Sequence, residues 1–222
     1  MSTFLKGTTA VLVFLGCAAP ALADSVYVWI DLSASTRFST EAAFARHAGD
    51  WVTEALEDLP EGSTVHLETL GDYGLGANLK RAALTVSPRK PARKVAKTVG
   101  GLVARMPELV TDGTLGEARS THILSRLENA SYAMDCVAEP TRILLLTDGV
   151  EWSEDVDGAA LIRGEAGLPR PASAFLDGCA VTMLGIGETQ GGTPALTRHL
   201  IKEWKAWTAA AGVSRFQPLP TF

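Results

Sequence analysis

Residues 26–36 read VYVWIDLSAST, and the fold is decided there. Val26 to Ile30 is an unbroken apolar run of β-branched and aromatic side chains, which reads as a strand buried on both faces. It gives way at once to Asp31, Ser33 and Ser35, polar residues at alternate positions, so the strand ends in a loop that presents oxygen donors. A strand without a polar face belongs in a parallel sheet with helices on both sides.

The flanking sequence repeats this alternation of apolar strands and amphipathic helices. From Ser39 or Thr40 a helix is expected with Phe44, Ala48, Trp51, Val52, Ala55, Leu56 and Leu59 on its stripe, ending before Pro60. Thr64–Thr69 and Ala82–Val86 read as strands joined through the Gly-rich stretch Gly71 to Gly76, a hairpin at one sheet edge. Pro91 opens a second helix with Val95, Val99, Leu102, Val103 and Met106 on one face, despite the helix-weakening pair Gly100 and Gly101. After a polar loop from Thr111 to Ser120, Ile123, Leu127, Ala130 and Met134 mark a third helix. Arg142–Leu146 and Ala180–Ile186 are further apolar strands. Thr193-Pro194 starts a last helix with Leu196, Leu200, Trp204, Trp207 and Ala211 buried, stopped by Gly212, and Phe216–Leu219 forms a final short strand. The expected fold is α/β: Rossmann-like, doubly wound, mainly parallel with one antiparallel edge strand.

In such sheets ligands bind at the carboxyl ends of strands, where strand order reverses. The residues expected there are Asp31-Leu32-Ser33-Ala34-Ser35 after the first strand, Ser120-Thr121 at a helix start, and Thr147-Asp148-Gly149 after the fourth strand. Two carboxylates with hydroxyls form an all-oxygen set suited to Mg2+ or Mn2+. So few charges leave the ion electrophilic, with one position for an outside oxygen such as a carboxylate.

The Asp-x-Ser-x-Ser run together with the later Thr-Asp-Gly resembles the von Willebrand factor A family, including the metal-ion-dependent adhesion site of integrin inserted domains. The resemblance runs from Val26 to Leu219. It implies that Ser33 and Ser35 touch the metal, that Asp31 and Asp148 hold it largely through water, and that Thr121 joins when ligand binds. Many members carry Gly before that threonine, whereas Ser120 stands here; Thr114, in Asp112-Gly113-Thr114, is therefore a rival to Thr121, which is preferred for its place at a helix start. Trp152, with Glu151 beside it, is expected on a ligand-facing rim, since Trp is a common interface anchor. The function expected is metal-assisted binding of a protein partner that offers an acidic residue, without catalysis.

Other chemistries fit less well. A phosphatase of the haloacid dehalogenase type, the alternative enzyme reading, needs an acid two residues after its nucleophilic Asp, where Ser33 stands. No Gly-x-Ser-x-Gly elbow is present, and His47, His122 and His199 have no partner pattern. Gly185-Ile186-Gly187 followed by Gly191-Gly192 is a broken dinucleotide fingerprint after a late strand.

The chain of 222 residues is 46% hydrophobic and 20% charged, enough for one core-forming domain. Residues 1–23 read as an export leader: Lys6, the apolar run Val11 to Leu15, then Ala21-Leu22-Ala23, leaving residues 24–222 as the domain. The run is too short and interrupted to span a bilayer, so no transmembrane segment is expected in the mature chain, and the expected location is the periplasm or outside the cell. Leu15-Gly16-Cys17 offers a lipoprotein alternative, but Phe14 fits that pattern poorly and little tether would remain before the first strand. Cys136 and Cys179 then form an even pair in an oxidising compartment, just before neighbouring strands, and a disulfide is expected.

Lys+Arg number 20 against Asp+Glu 25, and losing Lys6 would take the net charge from −5 to −6, which argues against nucleic acid. Against this trend, Lys80, Arg81, Arg89, Lys90, Arg93, Lys94, Lys97 and Arg105 fall in a stretch without Asp or Glu. That stretch is either a solvated helix face or the docking surface of a metal-less scaffold for an acidic partner or anionic membrane. Nothing in the sequence specifies an oligomer.

Overall fold

A computed structural model of the chain describes residues 23–70, 82–189 and 191–222. Residues 1–22, on which most of the expected leader and Cys17 fall, the expected turn from Gly71 to Gly76, and Lys80 and Arg81 lie outside the described residues. In chain order the elements are β1 (Ser25–Asp31), α1 (Arg37–Thr40), α2 (Ala42–Leu56), β2 (Thr64–Leu70), β3 (Ala82–Thr85), α3 (Ala92–Ala104), α4 (Met106–Thr111), α5 (Ile123–Ser131), β4 (Thr141–Leu146), α6 (Gly158–Arg163), β5 (Ala180–Leu184), α7 (Pro194–Ala210) and β6 (Arg215–Leu219).

The sheet runs in the order β3-β2-β1-β4-β5-β6, with β3 antiparallel to β2 and every other pair parallel. This is the expected doubly wound architecture. Order reverses at β1, which pairs with β2 on one side and β4 on the other, so the carboxyl ends of β1 and β4 form the switch point.

Alternation along β1 divides the core. Val26, Val28 and Ile30 pack with residues of α2 and α3 such as Val52, Leu56, Val95 and Val99. Tyr27 and Trp29 face the other way, toward Ile123 and Leu127 of α5 and Leu200 and Trp204 of α7. Both faces being apolar explains the absence of a polar period in the sequence.

Three helix boundaries differ from the periodicity. The first expected helix is two: Thr36 caps α1 through its hydroxyl, and the chain leaves helical conformation at Glu41 before α2 begins. Ser39 does not start a helix; its hydroxyl donates to the Ser33 and Thr36 carbonyls, tying α1 to the loop after β1. The second expected helix breaks at Arg105, after which Pro107 lies in the first turn of α4. The short α6, without an apolar run long enough to register, is an addition.

Gly100 has a packing reason. A Cβ there would lie 2.3 Å from the Gly49 carbonyl oxygen and 2.1 Å from Thr53 Oγ1, so α2 and α3 cross with backbones in contact. Gly101 meets nothing within 4 Å. Cys136 and Cys179 form the expected disulfide, 43 residues apart with Cα atoms 4.9 Å apart, ahead of the paired strands β4 and β5. Among the described residues no helix is long and apolar enough to cross a membrane.

Candidate metal centre

Asp31, the last residue of β1, and Asp148, just after β4, are both buried. Both oxygens of Asp31 are engaged: the Ser33 N–H donates to Oδ1 at 2.8 Å, and the Thr147 hydroxyl to Oδ2 at 2.7 Å. Burial, reinforced by the charge of Asp148, pushes Asp31 up to about 7, with the hydrogen bonds from Ser33 and Thr147 working against it. Burial likewise raises Asp148, offset in part by the Val150 N–H and by the Ser35 and Thr189 hydroxyls. Asp148 Oδ1 accepts from the Val150 N–H at 2.9 Å, whereas Oδ2 is buried and no donor reaches it in hydrogen-bonding geometry, the Ser35 and Thr189 hydroxyls lying near the carboxyl without closing on that oxygen.

The hydroxyls sit beside these carboxylates. Ser33 Oγ and Ser35 Oγ are 3.1 Å apart, and Ser33, Ser35 and Thr121 line one cleft. Thr121 is buried there, while the rival Thr114 is exposed in a turn where its N–H donates to Asp112 Oδ1 at 2.8 Å.

Three isolated bridges knit the loops that carry these groups. Ser33 pairs with Ala118, Thr36 with Thr189, and Thr121 with Trp152. The last is a reciprocal pair, each N–H donating to the other's carbonyl at 3.0 Å. From behind, Trp204 of α7 donates its indole N–H to the Gly149 carbonyl at 2.8 Å, fixing the loop after β4 against the last helix.

No family model matches the chain, and no curated protein matches it. Among solved structures it is similar to the manganese-loaded Plasmodium vivax TRAP protein, at 14% identity and a TM-score of 0.41. That match covers 80% of this chain and 62% of the other, so this chain spans less than two thirds of that structure. A likeness of this degree decides nothing about function.

The residues here must therefore be judged on their own chemistry. Two buried carboxylates raise one another's cost, and an unpartnered carboxylate oxygen out of water is expensive unless a cation or donor meets it. Ser33 and Ser35 offer neutral oxygens beside the carboxylates, and Thr121 lines the same cleft. This donor set fits a hard divalent cation, held by the three hydroxyls and the carboxylates of Asp31 and Asp148. It differs in kind from a cage of three or more His, Cys, Asp or Glu side chains, of which the described residues contain none.

Glu151 corrects an expectation. It is not a rim residue beside Trp152 but is 1% exposed, its Oε2 accepting the N–H groups of Ile123 at 2.8 Å and Leu124 at 3.1 Å. It caps α5, whose own N-cap residue His122 makes no side-chain cap. Burial pushes it up to about 7, against the hydrogen bonds it accepts from Leu124, Ser153 and Ile123. Trp152 stays on the rim, 46% exposed. Thr147 and Thr189 went unassigned in the sequence. Thr147 lies inside the quoted Thr-Asp-Gly, so its position was visible; nothing local to Thr189 marks it.

Proposed function

We propose that this chain is an exported, non-catalytic binding module of von Willebrand factor A type, which uses a divalent cation to take a carboxylate from a protein partner. The observation that carries the reading is Asp148 Oδ2, a buried carboxylate oxygen without a partner, at the switch point beside Asp31 and a cluster of hydroxyls. The cation would neutralise the two carboxylates and leave a position for an outside oxygen. Ser33, Ser35 and Thr121 would orient it toward the cleft, and Thr147 and the Ser33 N–H hold Asp31 in place.

The hydrolase alternative has less support. Asp31 spends both oxygens on internal hydrogen bonds, and Ser33 stands where a general acid would be required. A metal-less scaffold that binds through its basic face has one observation behind it. Arg89, Lys90, Arg93, Lys94 and Lys97 are exposed, and no ion pair is made by them among the described residues.

Thermal unfolding of a chain beginning at Asp24, with chelator and then with Mg2+ or Mn2+, tests the choice. At a metal concentration of 100 Kd, binding adds about 2.7 kcal/mol, or roughly 5–10 °C in Tm for a chain of this size. The rise is expected for the unmodified chain and absent in Asp31→Ala. No rise in either sinks the metal reading and turns attention to the basic face.

A further inference from the structure

The cleft lined by Ser33, Ser35 and Thr121 has a volume of about 560 Å3, and its other walls are largely apolar: Ala118, Val150, Trp152 and Ile162. Among the described residues four large apolar side chains are exposed, Tyr132, Val137, Trp152 and Ile162, and two of them meet here. Scattered exposed apolar side chains need no explanation, but two converging on one concave surface beside a polar site do.

Trp152 is fixed in place. Its backbone makes the reciprocal pair with Thr121, and its ring lies against Gly158 at the head of α6. A Cβ on Gly158 would come within 2.3 Å of the indole Cε3, so the absent side chain is what lets the ring lie there. Asp157 caps α6 through the N–H groups of Ala159 and Ala160, and the same helix carries Ile162, so one short segment builds the apolar wall. A rigid, half-exposed indole loses little conformational freedom when covered, which suits it as a binding anchor.

We propose that this cleft takes an apolar side chain from the same partner segment whose carboxylate meets the metal. The recognised unit is an Asp or Glu with a bulky aliphatic or aromatic residue one or two positions away. This rests on the metal-assisted reading above. Charge complementarity selects the acidic half, since a cation held by Asp31 and Asp148 calls for an anion, while the charges of Glu117 and Arg119, which both line the cleft, offset one another. Reach selects the neighbour: Thr121 among the hydroxyls and Trp152 on the apolar wall are bridge partners, so the first and second neighbours of the acidic residue, ~3.8 Å and ~6.7 Å away in an extended peptide, are the ones that fall beside the indole.

The test is a panel of five-residue peptides with Glu at the centre, either all Ala otherwise or with one Leu or Phe at each remaining position. Each is titrated into the Mg2+-loaded protein and followed by NMR chemical shifts. At least one apolar-substituted peptide is expected to bind about tenfold more tightly than the all-Ala peptide, the gain from burying one such side chain. Trp152→Ala and Ile162→Ser should each reduce that preference to about twofold or less, while keeping the Mn2+-dependent rise in Tm. A flat panel overturns the proposal, as does absence of all binding or a preference that survives both substitutions. If Mn2+ produces no rise in Tm in the unmodified protein, the metal reading itself fails and takes the bipartite unit with it.

Discussion

At the residue scale the site is a pair of carboxylates that the fold keeps close and dry. Asp148→Asn removes one of the two buried charges, so in the presence of chelator the variant should melt higher than the unmodified chain, more so at pH 8 than at pH 5. The same substitution should abolish stabilisation by Mn2+. Opposite signs from one change, read by thermal unfolding with and without metal, separate a functional carboxylate from a structural one. Glu151 has the contrary character: Glu151→Ala strips two N–H groups of their acceptor at the start of α5 and should cost about 1–2 kcal/mol by denaturant unfolding. Asp31, Ser33, Ser35 and Asp148 were legible because each lies in a short run whose spacing has chemical meaning. Glu151 was not, because its partners lie 27 and 28 residues earlier in the chain.

At the scale of elements, strands were easier to read than helix ends. β1 and β4 follow their apolar runs to within a residue, since burial on both faces leaves an unbroken signal, and β2 follows its alternation as closely. Helix ends moved at Glu41, where the backbone is extended, and at Arg105, two residues ahead of Pro107, neither of which interrupts the apolar stripe. The adjacent glycines of α3 make the distinction measurable. Gly101→Ala should raise stability by about 0.5–1 kcal/mol, the usual gain from replacing an open helical glycine. Gly100→Ala should lower stability despite the same propensity gain, because its Cβ would collide with α2. Equal effects in urea titrations would mean that the helices do not cross in contact.

For the whole molecule, the raised carboxylates set a pH dependence. Below about pH 3, Asp31 and Glu151 are protonated in folded and unfolded chains alike, and the upward shift of Asp148 acts in the same sense. As pH rises toward 7 the unfolded chain ionises first while the folded chain keeps its protons, so stability falls through this window and levels off above it. The lowered carboxylates Glu41, Glu108, Asp112 and Glu165 act in the opposite sense but are exposed and weak. Metal-free protein should therefore melt lower at pH 8 than at pH 5, and added Mn2+ should help more at pH 8, where its ligands are ionised; a flat chelator profile would contradict the burial of the pair. Removing the disulfide by Cys136→Ala with Cys179→Ala should cost roughly 4 kcal/mol through the freed 43-residue loop, measured as a fall in urea midpoint.

The sequence by itself determined the sheet class, the face each strand residue takes and the oxygen donors at the switch point, because those follow from local periodicity and from residue types a few positions apart. Only the tertiary structure decided that Thr121 is buried against the cleft of Ser33 and Ser35 while Thr114 is exposed, that Glu151 turns inward to cap α5, and that Trp152 and Ile162 line one cleft. Those outcomes depend on bridges between loops distant in sequence, whose energies come from pairing and burial that no local pattern encodes.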